Sequence, residues 1–225
     1  MWRFLCLLLL AALNCAYRSD CISTDGACQP LVTYVLFQNA GINLSSPAGN
    51  PTATTPSSVS GLIFLFRTTT TSTGLLGGVG GRGGADVLCA GSRGSYVFPD
   101  NSCSSTRAFI SINGTDEISD MPTNYGVPSG NSIQGQTGTE IAADWTALLS
   151  GSISVSLSTA SVLPAATAWA SYSTSSGTLA GNNCTNGTVT GLNGQVGTSG
   201  STNATWMDNG TSLCIAPTYL LCLCY

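Results

Sequence analysis

A chain of 225 residues with only 7% charged side chains and a net charge of −4 carries six arginines, no lysine and no histidine. A basic patch for nucleic acid is therefore absent from the composition. Without histidine, Ser-His-Asp and Cys-His mechanisms and His-ligated zinc sites are excluded. Ten cysteines together with an apolar N-terminus indicate an oxidising compartment, and the length suits one domain plus a tail.

Residues 1–14 read as a signal peptide. Arg3 supplies the leading charge, and the apolar run Phe4 to Leu13 is too short to span a bilayer comfortably. Cys15 directly follows that run in Ala12-Leu13-Asn14-Cys15, and is expected to be lipidated as in a bacterial lipoprotein. Ordinary cleavage nearby, with Cys15 lost or free, is the alternative. Residues 15–60 read as a tether. Cys21 and Cys28 are placed to close a small disulfide loop, and a metal clip there lacks both histidine and a second cysteine pair. The run Leu31 to Phe37 is apolar enough for a strand or short helix. Asn, Ser, Thr and Gly around Pro47, Pro51 and Pro56 then give the composition of a flexible linker.

The folded head is expected over residues 61–225. Gly61 to Phe66 is nearly all apolar and predicts a strand buried on both faces. The glycine run Gly77 to Gly84 follows. Gly78-Val79-Gly80-Gly81-Arg82-Gly83 fits the spacing of a dinucleotide fingerprint, but that motif needs a strand directly before it, and Thr68 to Thr73 intervene. The preferred reading is a glycine turn that seats a short helix, with Cys89 on it stapled to a distant strand. No cofactor is expected.

Arg107 to Ile112 predicts a strand, and Asn113-Gly114 its turn. Asp116, Glu117 and Asp120 form the chain's acidic cluster and are the candidate carboxylates should the protein be a hydrolase. A solvated turn before Pro122 is the preferred account of them. Ile141, Trp145, Leu148 and Leu149 share one face of a helix expected over Ile141 to Leu149, with Thr139 as N-cap and Gly151 as the stop. Ala168 to Ala170, Thr205 to Met207, Leu213-Cys214 and Tyr219 to Cys224 are strand candidates. Cys184 opens a loop region dense in Asn, Gly and Thr. The Asn-x-Ser/Thr sequons at Asn43, Asn113, Asn183, Asn186, Asn203 and Asn209 would be glycosylated only in a eukaryotic secretory route.

Several of these motifs recur in a known order. Gly83-Gly84-Ala85-Asp86-Val87-Leu88-Cys89, Arg107-Ala108-Phe109-Ile110-Ser111, Trp145 to Ser152, then Trp169, Cys184, Trp206, Cys214 and the final Leu-Cys pair resemble a domain of unknown function found in leptospiral lipoproteins. More distantly they resemble the endostatin-like C-terminal domain of collagens XV and XVIII. The resemblance covers Gly61 to Tyr225. It implies an α+β, C-type-lectin-like (endostatin-like) fold with antiparallel sheets, two short helices and nested disulfides. It also implies the pairs Cys89–Cys222 and Cys184–Cys214.

Elimination leaves Cys103 with Cys224. Cys222 and Cys224 share a strand face, so an exchange of the two between Cys89 and Cys103 is the alternative. The histidine-held zinc of endostatin does not carry over. The calcium tripeptides of sugar-binding lectins have only a loose echo at Trp206-Met207-Asp208-Asn209, and no metal is expected.

The function these features predict is a surface-anchored extracellular binding or adhesion module, not an enzyme. It would be tied to the outer membrane or cell surface by its lipid, with a host or matrix protein or a glycan as partner and no nucleic acid. A secreted hydrolase and a structural coat protein without specific ligand are the alternatives.

Overall fold

The computed structural model describes residues 61–99 and 103–225. The signal stretch, Cys15, Cys21, Cys28 and the run Leu31 to Phe37 lie outside the described residues. Eight strands form two sheets. The larger sheet has the order β2-β8-β1-β3-β4, built from β1 (Ile63–Arg67), β2 (Thr106–Phe109), β3 (Ile133–Gly135), β4 (Glu140–Ala142) and β8 (Leu221–Cys224). The smaller has the order β5-β6-β7, from β5 (Ala168–Ala170), β6 (Asn193–Thr198) and β7 (Thr211–Leu213).

The expectation of antiparallel sheets with two short helices is corrected on both counts, and the C-type-lectin-like, endostatin-like assignment falls with it. β1 and β3 run parallel, pairing Ile63 with Ile133 and Leu65 with Gly135. Parallel partners need a long crossover, and here the chain between them carries a helix, β2 and a second helix. Four helices are present among the described residues: α1 (Gly81–Arg93), α2 (Met121–Tyr125), α3 (Trp145–Leu148) and α4 (Cys184–Gly187). The first is 13 residues long, well beyond a short seat for Cys89.

The helix expected over Ile141 to Leu149 is also corrected. Glu140–Ala142 is a strand that pairs with β3, Ile133 opposite Ala142. Asp144, not Thr139, caps the helix that follows, its carboxylate accepting from the Ala147 amide at 2.7 Å. The Ile141–Trp145 spacing fits a helix, but it equally suits a strand residue and a helix residue that both face one core. Ala204–Trp206 forms a single 3-10 turn where a strand was expected.

The apolar run of β1 does what its composition dictates. Successive side chains point to opposite faces, and Ile63, Phe64, Leu65 and Phe66 are all buried. Phe64 and Phe66 pack with Leu76, Ala85, Cys89 and Phe98 beneath α1. Ile63 and Leu65 face the other core, where Phe109, Trp145, Trp169 and Trp206 gather. The Trp169 indole donates to the Trp206 carbonyl at 2.9 Å, which satisfies the polar end of a fully buried ring. β8 divides its residues the same way, with Cys222 and Cys224 toward α1 and Leu221 and Leu223 toward the aromatic core.

Disulfides join Cys89 to Cys222, Cys103 to Cys224 and Cys184 to Cys214. The first two interlace along the chain, and Cys184–Cys214 nests inside both. Arg82 adds a polar tie between α1 and β2. Its guanidinium holds Asp116 through two bonds of 2.9 and 2.7 Å and donates to the Ala108 and Ile110 carbonyls at 2.6 and 2.7 Å. All four arginines of the described residues sit in regular elements: Arg67 in β1, Arg82 and Arg93 in α1, and Arg107 in β2.

The turn before α1 crosses that helix backbone to backbone. A Cβ on Gly84 would overlap the Leu76 carbonyl oxygen. Gly84→Ala is therefore expected to destabilise the head by about 1–3 kcal/mol through overpacking that no side chain can relieve. Urea denaturation of the variant beside wild type measures this. A Gly83→Ala control, at a position with open space around it, should show no comparable loss.

Candidate functional site

The Asn-, Gly- and Thr-rich region after β5 contains the most unusual backbone of the molecule. Cys184, Thr185 and Asn186 have φ of +52°, +49° and +59°, and Gly187 follows at +72°. Four consecutive residues thus make one turn of left-handed helix. Its bonds run in the helical sense, from the Gly187 amide to the Asn183 carbonyl at 2.9 Å and from Thr188 to Cys184 at 3.0 Å.

For L-residues with a side chain this conformation is disfavoured, by roughly 1–2 kcal/mol per residue. Asn and Gly tolerate it. Cys184 and the β-branched Thr185 do not, so the surroundings must impose it. Three constraints do so. The Asn183 side chain accepts from the Asn186 amide at 3.2 Å, and its own amide donates to the Asn186 side-chain oxygen at 3.0 Å. The Thr188 hydroxyl donates to the Thr185 carbonyl at 2.6 Å. The disulfide to Cys214 fixes Cys184 from the far side. Gly74 lies directly against that disulfide, and a Cβ there would collide with both cysteines and with the Val189 carbonyl.

The left-handed turn borders an open surface cavity of about 350 Å³ lined by Gly181, Asn182, Asn183, Cys184, Thr185, Gly191, Leu192, Asn193 and Leu213, of which all but Asn183 and Cys184 are exposed. That volume lies at the low end of small-ligand sites. No lining residue is charged. Leu192 and Leu213 are 56% and 60% exposed, large values for leucine, and form the apolar walls. β7 places Leu213 opposite Asn193 of β6, and the Cys214 amide donates to the Leu192 carbonyl at 2.7 Å. The walls therefore stand on a hydrogen-bonded ladder. Among the described residues the Asn182 and Asn193 side chains make no hydrogen bond.

The carboxylates singled out for hydrolysis lie elsewhere, and Asp116 and Glu117 are engaged. Asp116 is held by Arg82 and accepts from the Tyr125 hydroxyl at 3.0 Å. Glu117 accepts from the Leu179 amide at 2.9 Å and the Ser119 hydroxyl at 3.2 Å. Asp120 precedes α2. None of the three lines the cavity. Asp208 is bonded to the Gln195 side chain. Among the described residues no group of three or more metal-ligating side chains converges, and no helix is long and apolar enough to cross a membrane. The glycine run is followed by a helix, as a dinucleotide fingerprint requires, but a 3-10 turn, Leu76–Gly78, stands before it in place of a strand.

Of the residues predicted to matter, Cys184 alone lines the cavity, and Cys214 braces it through their disulfide. Asn182, Asn193, Leu192 and Leu213 were missed. The signals were weak ones: an Asn pair beside Cys184, and two leucines isolated in polar loops. No family model matches the chain, and no curated protein matches it in sequence.

Tyr172 is buried beneath the turn, its ring against Gly194. Burial raises its phenol well above the ordinary value of about 10. The folded state keeps the phenol neutral while the unfolded chain ionises near that value. Stability from this group is therefore whole below about pH 10 and declines as pH rises toward the folded-state value. Tyr172→Phe should show a smaller alkaline loss than wild type when urea midpoints are compared at about pH 8 and about pH 11.

Removing the brace should release the turn. A Cys184→Ser/Cys214→Ser double variant is expected to lose about 3–4 kcal/mol in the chain-entropy model. Amide hydrogen exchange over Thr185 to Val189 should accelerate more than in the large sheet.

Proposed function

We propose that this chain is a surface-displayed extracellular binding module, anchored through a lipid on Cys15, with the cavity beside the left-handed turn as its ligand contact. The left-handed turn carries the reading. Non-glycine residues held at positive φ store strain, and such strain clusters where a surface must be preorganised. Here it is braced by a disulfide and borders an uncharged cavity with exposed leucines. Binding residues are commonly loops positioned by a rigid scaffold, and two interlaced disulfides supply that scaffold. The signal-like N-terminus and the ordered motifs that resemble the leptospiral lipoprotein domain support export and display. The structural duties of Asp116 and Glu117 support a binding role over a hydrolytic one. The partner is a host or matrix protein or a glycan.

The test uses bacteria that display the full chain. Leu213→Glu changes only an exposed wall residue, so the protein should remain folded and on the surface while adhesion to host cells and matrix falls at least about tenfold, the effect of losing on the order of 1.4 kcal/mol. Cys15→Ser should instead move the protein from the detergent phase to the aqueous phase. Undiminished adhesion by Leu213→Glu would remove the cavity from the proposal. Equal partitioning of Cys15→Ser and wild type would remove the anchor.

A further inference from the structure

The chemistry of the cavity narrows the ligand class, and this step rests on the binding reading above. A buried anion needs a cation or a convergent set of donors, and a cation needs carboxylates. The lining offers neither charge. An entirely apolar ligand would leave the solvent-facing Asn182 and Asn193 amides without a partner, since it offers them no hydrogen bond.

A carboxamide both donates and accepts. Its natural complement is a group that also does both, and a hydroxyl is that group. Asn183 is committed to the turn, so Asn182, Asn193 and the exposed Thr185 hydroxyl are the polar groups left to face a ligand. Leu192 and Leu213 offer apolar surface to the C–H face of a ring. The ligand these walls suit is neutral, rich in hydroxyls along its edges and apolar on its faces. With about 350 Å³ available, one or two ring units fit.

We propose that this cavity binds the neutral ends of glycans, without a metal ion. The amides of Asn182 and Asn193 pair with hydroxyls, and Leu192 and Leu213 pack on the ring. The polar contacts are uncharged, so binding should be insensitive to salt, unlike that of an arginine-based site for acidic sugars.

The full chain is applied to an array of immobilised oligosaccharides ending in neutral hexoses or N-acetylhexosamines, beside their sialylated counterparts, with and without EDTA. Neutral ends should be retained equally with EDTA and in high salt, and sialylated ends should bind no more tightly. Asn182→Ala/Asn193→Ala should weaken retention about tenfold or more, as expected for two lost hydrogen-bonding groups. The variant's melting temperature should stay near wild type, because both side chains are exposed and neither bonds to another of the described residues. Loss of binding in EDTA, preference for sialylated ends, or a variant that binds as wild type would overturn the proposal. If no glycan is retained while Leu213→Glu still abolishes adhesion, the glycan assignment falls and the cavity remains a contact for a protein partner. If neither effect is seen, the binding reading falls as well.

Discussion

The head depends on β8. This strand is last in chain order among the described elements yet lies inside the large sheet, between β1 and β2. Its four residues are fully buried, and two are cysteines joined to partners more than a hundred positions earlier. The leucines that alternate with them complete the aromatic core on the opposite face. One short strand thus closes the sheet, links it covalently to α1 and to the start of β2, and fills both cores. Chain-entropy arguments give bonds across loops of this length roughly 4–5 kcal/mol each. That is substantial against the 5–15 kcal/mol typical of a whole domain.

From that frame the path to the cavity is short. Cys222 fixes α1, and α1 fixes the glycine-rich turn that crosses its first residues at Gly84. Gly74, just before that run, lies against the Cys184–Cys214 bridge, and Gly80 within the run lies against Gly187 and Thr188 at the end of the left-handed turn. The run of glycines therefore serves two neighbours at once. It permits the helix crossing on one side and the left-handed turn on the other. The cavity walls come from β6, β7 and the loop between the turn and β6. The ladder between those strands gives exposed leucines a firm footing.

Legibility differed by element for physical reasons. β1 was readable because four successive apolar residues buried on both faces leave little else to form. The Asn113-Gly114 turn was readable because its dipeptide is specific, and the Arg107 strand because of the β-prone residues before that turn. The stretch Ile141 to Leu149 was misread because helical spacing cannot distinguish one long helix from a strand and a helix facing the same core. Only the pairing with β3 decides, and pairing is a long-range property. The parallel β1–β3 pair carries no local mark for the same reason. In the site, Asn186-Gly187 is a recognisable left-handed pair, but Cys184 and Thr185 are not. They adopt that conformation because the bridge and the Asn183 cap hold them there. The roles of Arg82, Asn182 and Asn193 likewise depend on neighbours that are distant in sequence.

The placement of the arginines bears on how the head would fare among extracellular proteases. Trypsin-like enzymes cut after basic residues and must draw an extended stretch of chain into their cleft. The head has no lysine, and each of its four arginines lies within a strand or helix. Arg82 is bound by four hydrogen bonds, and Arg93 stacks on Phe98 at 4.5 Å beside the Cys103–Cys224 bridge. Cleavage at these positions must wait for α1, β1 or β2 to open. Its rate then follows the stability of the whole disulfide-bound unit rather than the motion of a loop. The remaining basic residues of the chain are Arg3 and Arg18. A head composed in this way would resist basic-specific proteolysis through where its few cations stand.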